Sequence, residues 1–157
     1  MTLEEWTSAL RADPESEAMR LAFSDWMEEH PHIDNGGWAI DALRAGKIPC
    51  TEVDEAVISA LANCRFSPGS WPKRFARGIH DRVTTAAQKN ENLTLTPRQY
   101  VALWNLVWHF RRQIPERWWK LCPRKPGDAK LTTRPVKLLP APAFRSWADE
   151  HLPLTHP

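Results

Sequence analysis

A chain of 157 residues, 42% hydrophobic and 25% charged, is long enough for one domain, or two very small ones, with a core of ordinary size. Its formal net charge of +2 conceals a division: residues 1–64 hold 4 Lys and Arg against 13 Asp and Glu, whereas residues 65–138 hold 16 against 4, formal charges of −9 and +12. Opposite charge of that size implies a polyanion-binding half beside an acidic half, or two halves that dock on each other, and three cysteines without a C-x-x-C pair argue against a disulfide framework.

Thr2-Leu3-Glu4-Glu5 is a capping box, which predicts a helix carrying Trp6 and Leu10 and ending near Asp13. Asp13-Pro14 is expected to restart a helix, with Pro at its first position and Met19, Ala22, Phe23, Trp26 and Met27 on an apolar face that Pro31 ends. Asn35-Gly36-Gly37 reads as a turn, 38–45 as a short helix closed by Gly46, and Thr51-Glu52-Val53-Asp54 as the start of another with Val57, Ile58 and Leu61 inward. Phe66-Ser67-Pro68-Gly69-Ser70 breaks the chain almost where the charge changes sign. Ser70 is placed to cap a helix over 71–89, with Phe75, Ile79, Val83 and Ala86 on one stripe and Lys73, Arg74 and Arg77 on the opposite arc. Thr96-Pro97-Arg98-Gln99 is a capping box with Pro at the first helical position, and the central helix is expected over 97–114, stopped by Pro115. A short helix over 116–120 and a loop over 122–128 follow, and Pro135, Pro140 and Pro142 keep the next segment extended. Val136 to Leu139 is the best strand candidate, and its alternation is weak.

The fold therefore reads as all-α: a compact multi-helix domain of short, proline-punctuated helices with a partly irregular C-terminal segment. An acidic module over 1–64 precedes a basic module over 65–157, with one continuous core as the alternative. F-x-x-W-x-x-E-H occurs at Phe23 to His30 and again at Phe144 to His151, where two helix ends packing Phe and Trp at i, i+3 explain it. The N-terminus lacks a basic n-region and an apolar h-region, and the longest apolar stretch, 100–108, is too short to span a bilayer. These features predict a cytoplasmic protein without a membrane partner.

The stretch from Leu10-Arg11-Ala12-Asp13-Pro14 through Arg20-Leu21-Ala22-Phe23-Ser24-Asp25-Trp26-Met27-Glu28-Glu29-His30 resembles the repeat-companion domain of planctomycete-type bacterial proteins, with Met27 where that pattern has Leu. The resemblance covers residues 1–31 and implies a small α-helical module often joined to others, with Arg20 and Asp25 as an ion-pair candidate; it transfers no activity. Phe66 to Phe75, Leu95 to Gln99 and Arg111 to Ile114 are similar to small phage-type proteins and to segments flanking helicases, which implies nucleic-acid metabolism.

The constellation with most chemistry is basic and aromatic. Arg111, Arg112, Arg117, Lys120, Arg124, Lys125, Lys130, Arg134 and Lys137 interleave with Trp118 and Trp119, and Lys73, Arg74 and Arg77 add a second group. Cations that reach a phosphate backbone, beside rings on which bases stack, suit a nucleic acid or a nucleoprotein complex. The same residues would also serve as a solvated face over core tryptophans, or as a docking surface for the acidic half. Arg111 projects into the apolar arc of the central helix, so it must be paired, stacked or directed at a partner, and an internal carboxylate pair is preferred. His30, His32, Cys50, Cys64 and Cys122 lack the short paired spacings of a structural zinc site. Cys122 is the one cysteine in a basic setting, although packing explains it more simply, and a site gathering His80, His109 or Cys122 with carboxylates would be needed for an enzyme. No nucleotide-binding, nucleophile-elbow or zinc-protease motif is present. The sequence thus predicts a non-enzymatic nucleic-acid-binding module without metal or cofactor; the alternative is a protein-interaction or inhibitor module acting through its acidic or aromatic surface.

Overall fold

The computed structural model describes residues 1–33 and 37–123. Seven α-helices and one two-stranded ribbon make up these residues, in the order α1 (Leu3–Ala12), α2 (Glu17–Glu28), α3 (Trp38–Arg44), β1 (Ile48–Pro49), α4 (Glu52–Ala62), α5 (Trp71–Gln88), β2 (Thr94–Leu95), α6 (Pro97–His109) and α7 (Glu116–Trp119). The all-α class follows from the sequence as expected.

Local chemistry sets most helix starts. At α1 the Thr2 hydroxyl accepts from the Glu5 N–H at 3.2 Å, and the Thr2 N–H donates to the Glu5 carboxylate at 2.6 Å. The same reciprocal pair opens α4 between Thr51 and Asp54 and α6 between Thr96 and Gln99. Helix α2 differs from expectation. Asp13 closes α1, residues 14–15 form a turn, and Ser16 is the N-cap, its hydroxyl accepting from the Met19 N–H. Both Asp and Ser can cap; Asp13 serves as the C-cap of α1, its N–H bonded to the Ala9 carbonyl, and Ser16 stands directly before the first residue of α2. Ala22 also lies exposed, leaving Phe23 and Met27 as the buried residues of the expected apolar face. Ser70 is the N-cap residue of α5, yet its hydroxyl makes no capping bond.

Two helix ends use left-handed residues. After α3, Gly46 at φ +81° lets the Lys47 and Gly46 N–H groups reach the carbonyls of Ala42 and Leu43. After α5, Asn90 at φ +54° does the same, with the Glu91 N–H bonded to the Ala86 carbonyl. The central helix stops earlier than expected. It ends at His109 and tightens into a 3-10 turn over Arg111–Gln113, and Ile114 is extended (φ −112°, ψ 138°), because a residue before proline is pushed out of the helical region.

The ribbon was not foreseen. Ile48 pairs with Leu95 and Pro49 with Thr94, antiparallel, and the Cys50 N–H extends the contact to the Leu93 carbonyl. Two residues per strand are too few to show alternation. The weak strand expected at Val136 to Leu139, and the second F-x-x-W-x-x-E-H copy, lie outside the described residues.

One apolar cluster crosses the boundary at residue 64. Val57, Ile58 and Leu61 of α4, Trp71, Phe75 and Ile79 of α5, and Leu103 and Val107 of α6 are all essentially inaccessible. Full burial of each such side chain stabilises the fold by about 1.5–3 kcal/mol, so apolar packing joins the halves. Charge does little here. Among the described residues one ion pair crosses the boundary, Arg98 with Glu15 at 4.0 Å between exposed side chains. The acidic half spends its carboxylates elsewhere: Asp25 and Glu28 both hold Arg44, at 3.2 and 2.8 Å. The Arg20–Asp25 pair implied by the resemblance is therefore not made, and Arg20 donates instead to the Pro14 carbonyl at 2.7 Å.

Candidate nucleic-acid interface

Helix α5 buries Trp71, Phe75, Ala76, Ile79 and Ala86, which turns Arg74 and Arg77 into solvent with Lys73 half-buried beside them. Its first turn carries no carboxylate. None of Lys73, Arg74 and Arg77 forms an ion pair among the described residues.

The fold brings a distant segment to this face. The Arg65 N–H donates to the Gln113 side-chain oxygen at 2.6 Å, and the Gln113 amide donates back to the Arg65 carbonyl at 3.3 Å. Next to this clamp Phe66 meets Phe110 edge to face, with centroids 4.8 Å apart. The charge break is thus pinned to the end of α6, beside the 3-10 turn bearing Arg111 and Arg112. Ala62, Cys64, Arg65, Phe66, Lys73 and Arg77 line one groove of about 450 Å3.

Arg111 resolves differently from the preferred expectation. Its guanidinium lies over the Trp108 ring at 4.2 Å and donates to the Trp108 carbonyl at 2.9 Å, and among the described residues it has no carboxylate partner. The helix tightens just after His109, so Arg111 folds back onto the ring one turn behind rather than across to the acidic half. Partial burial, and after it the same cation, push the neighbouring His109 down from its ordinary pKa.

The tryptophan pair is not a free platform. Trp119 packs edge to face on Trp108 at 6.1 Å, and Arg117 covers the Trp118 ring at 4.9 Å; both tryptophans are half-buried. Lys120 is engaged with Glu116 at 3.1 Å one turn back, an exposed pair of small energetic worth. Arg112 and Arg117 are exposed and outside any ion pair among the described residues. Arg124, Lys125, Lys130, Arg134 and Lys137 lie outside the described residues.

Catalytic chemistry finds no foothold in the cysteines. Cys64 and Cys122 are buried with their sulfurs directed at the carbonyls of Ala60 and Trp104. Burial, with Asp54 nearby, pushes the Cys50 thiol well above its ordinary value, which disfavours the thiolate. The His30 ring stacks on Trp26 at 4.3 Å, with Nδ1 at 2.7 Å from the Trp26 carbonyl. Among the described residues no group of three His, Cys, Asp or Glu side chains could hold a metal ion.

Two features escaped the sequence. Phe66 read there as the start of a break and Arg65 only as the first residue of the basic half; the Gln113 clamp and the shared groove bring them beside Lys73 and Arg77. Asp54 read as a helix-start residue, but it is 1% exposed. Its carboxylate accepts from the Tyr100 hydroxyl at 3.0 Å and from the Thr51 N–H and hydroxyl at 3.0 and 3.2 Å. Desolvation pushes the Asp54 carboxyl up, against the opposing pull of Thr51, Arg11 and Tyr100. Tyr100, buried and beside that carboxylate, is pushed far above the ordinary phenol value. Arg11 completes the surroundings, buried with its guanidinium 4.8 Å above the Trp104 ring. This cluster borders a largely apolar cavity of about 150 Å3 walled by Leu10, Phe23, Met27 and Trp38.

No protein-family model, curated protein or solved structure matches the chain. Among the described residues no helix is long and apolar enough to cross a membrane.

Proposed function

We propose that the protein is a non-enzymatic α-helical module that binds nucleic acid, alone or in a nucleoprotein complex, through its basic second half. The observation that carries the reading is the availability of its cations: exposed Arg74, Arg77, Arg112 and Arg117 and half-buried Lys73 have no ion-pair partners among the described residues. An apolar core joins the two halves, so these charges are not consumed in holding them together. Unneutralised surface cations attract a phosphate backbone and release its counterions on contact. The acidic half, with its formal charge of −9, repels the same backbone.

The test is binding of labelled single-stranded DNA, duplex DNA and RNA, followed by fluorescence anisotropy at low and at high salt. Salt-sensitive binding to at least one of them is the expected result; none at low ionic strength overturns the reading.

A further inference from the structure

We propose that the groove between the end of α4 and the first two turns of α5 takes one nucleotide unit of a single strand, with its base on Phe66 and the flanking phosphates on Arg65, Lys73 and Arg77. The proposal rests on the nucleic-acid reading above and narrows it to one recess and one strand form.

Four observations carry it. The lining of the groove joins three cations to one aromatic ring without a carboxylate. The cations have free heads: none of the three makes an ion pair, or a side-chain hydrogen bond to the α4 carbonyls, among the described residues. The recess is held in shape beforehand, because the two hydrogen bonds between Arg65 and Gln113 fix the backbone and Phe110 holds the Phe66 ring at 73° to its own. Ordering costs are thereby met before the ligand arrives. Finally, among the described residues Phe66 is the one aromatic ring that shares a groove with these cations, whereas Trp119 packs on Trp108 and Trp118 lies under Arg117. A duplex hides its base faces within the stack and would use only the cations; a ring and cations sharing one recess fit an unpaired base.

Binding of a labelled oligothymidylate of about ten nucleotides and of a duplex of equal charge tests this, using the full chain. Phe66→Leu keeps an apolar side chain against Phe110 and removes the stacking face, and far-UV circular dichroism with thermal melting confirms that each variant is folded. Phe66→Leu should weaken single-strand binding roughly 5- to 150-fold, the range of one base–aromatic stack, and leave duplex binding unchanged. Arg77→Glu should weaken single-strand binding and flatten its salt dependence by about 0.7 or more in logarithmic slope. Lys89→Glu, at the far end of α5, should do neither. An equal effect of Phe66→Leu on both ligands, or no effect, overturns the groove assignment and leaves the broader reading standing if binding is still salt-sensitive. Absence of salt-sensitive binding by the wild-type chain overturns both.

Discussion

Removing the Tyr100 hydroxyl tests how this core tolerates a buried carboxylate. Tyr100→Phe preserves the ring in a site that is 2% exposed, so no cavity forms and water has little access to replace the lost donor. Asp54 Oδ1 loses the bond now made at 3.0 Å, and Oδ2 keeps its two bonds from Thr51. A hydrogen bond to an ionised group is worth about 1.5–3 kcal/mol, and at about 2–4 °C per kcal/mol the melting temperature should fall by roughly 3–12 °C at neutral pH. The pH dependence carries the finer test. Asp54 titrates in the folded state above its ordinary value of 3.8, so between those two values the folded chain holds more protons than the unfolded one. Its ionisation therefore lowers stability as pH rises through that window, with the full penalty reached above the folded pKa. Tyr100 opposes this by favouring the charged form, so its removal should raise the folded pKa further and widen the window. Urea unfolding followed by tryptophan fluorescence, from about pH 8 down to about pH 4, should show the cost of Tyr100→Phe shrinking toward acid. A cost below about 0.5 kcal/mol at neutral pH, or one independent of pH, refutes the argument.

Three further outcomes follow from local geometry. Thr96→Ala removes the hydroxyl that caps α6, and urea unfolding should show a loss of about 1 kcal/mol. Phe75→Ala empties a fully buried position stacked 4.8 Å from Trp71 and should cost about 3–5 kcal/mol in the same assay. Cys50 should resist alkylation in the native chain at mildly alkaline pH and react once the chain is unfolded; Cys50→Ser should leave the native reaction rate unchanged, and a faster native rate in the wild type would contradict its raised thiol pKa.

The sequence made helix starts legible wherever the signal is local. Thr2, Thr51 and Thr96 each place a hydroxyl three residues before an acceptor side chain, and all three boxes form. Ambiguity arose where two residues competed for one role, as Asp13 and Ser16 did. It also arose where a proline acts upstream of itself: Pro115 ends the helix by forcing Ile114 out, and the turn before it had already tightened. The basic residues were readable as a class, but their neighbours were not. Arg65 and Gln113 are 48 positions apart, and no periodicity within α5 or α6 indicates that they exchange hydrogen bonds. Trp118 and Trp119 suggested a stacking surface because sequence shows aromatic content without showing which face is covered. Asp54 likewise gave no sign of its burial, since a capping carboxylate is ordinarily exposed and Tyr100 lies 46 residues away.

The most direct measurement of the central claim is a salt titration of nucleic-acid binding for the full chain and for two charge variants. One carries Lys73→Gln, Arg77→Gln and Arg112→Gln, and the other carries Glu4→Gln and Glu5→Gln on the exposed first turn of α1. For single-stranded DNA, three phosphate contacts give a slope of about −2, hence a fall of roughly 20-fold in affinity between 50 and 200 mM salt. The account predicts that the basic variant loses most of that binding and of that slope, while the acidic variant keeps both. Equal binding by the wild type and the basic variant would contradict it.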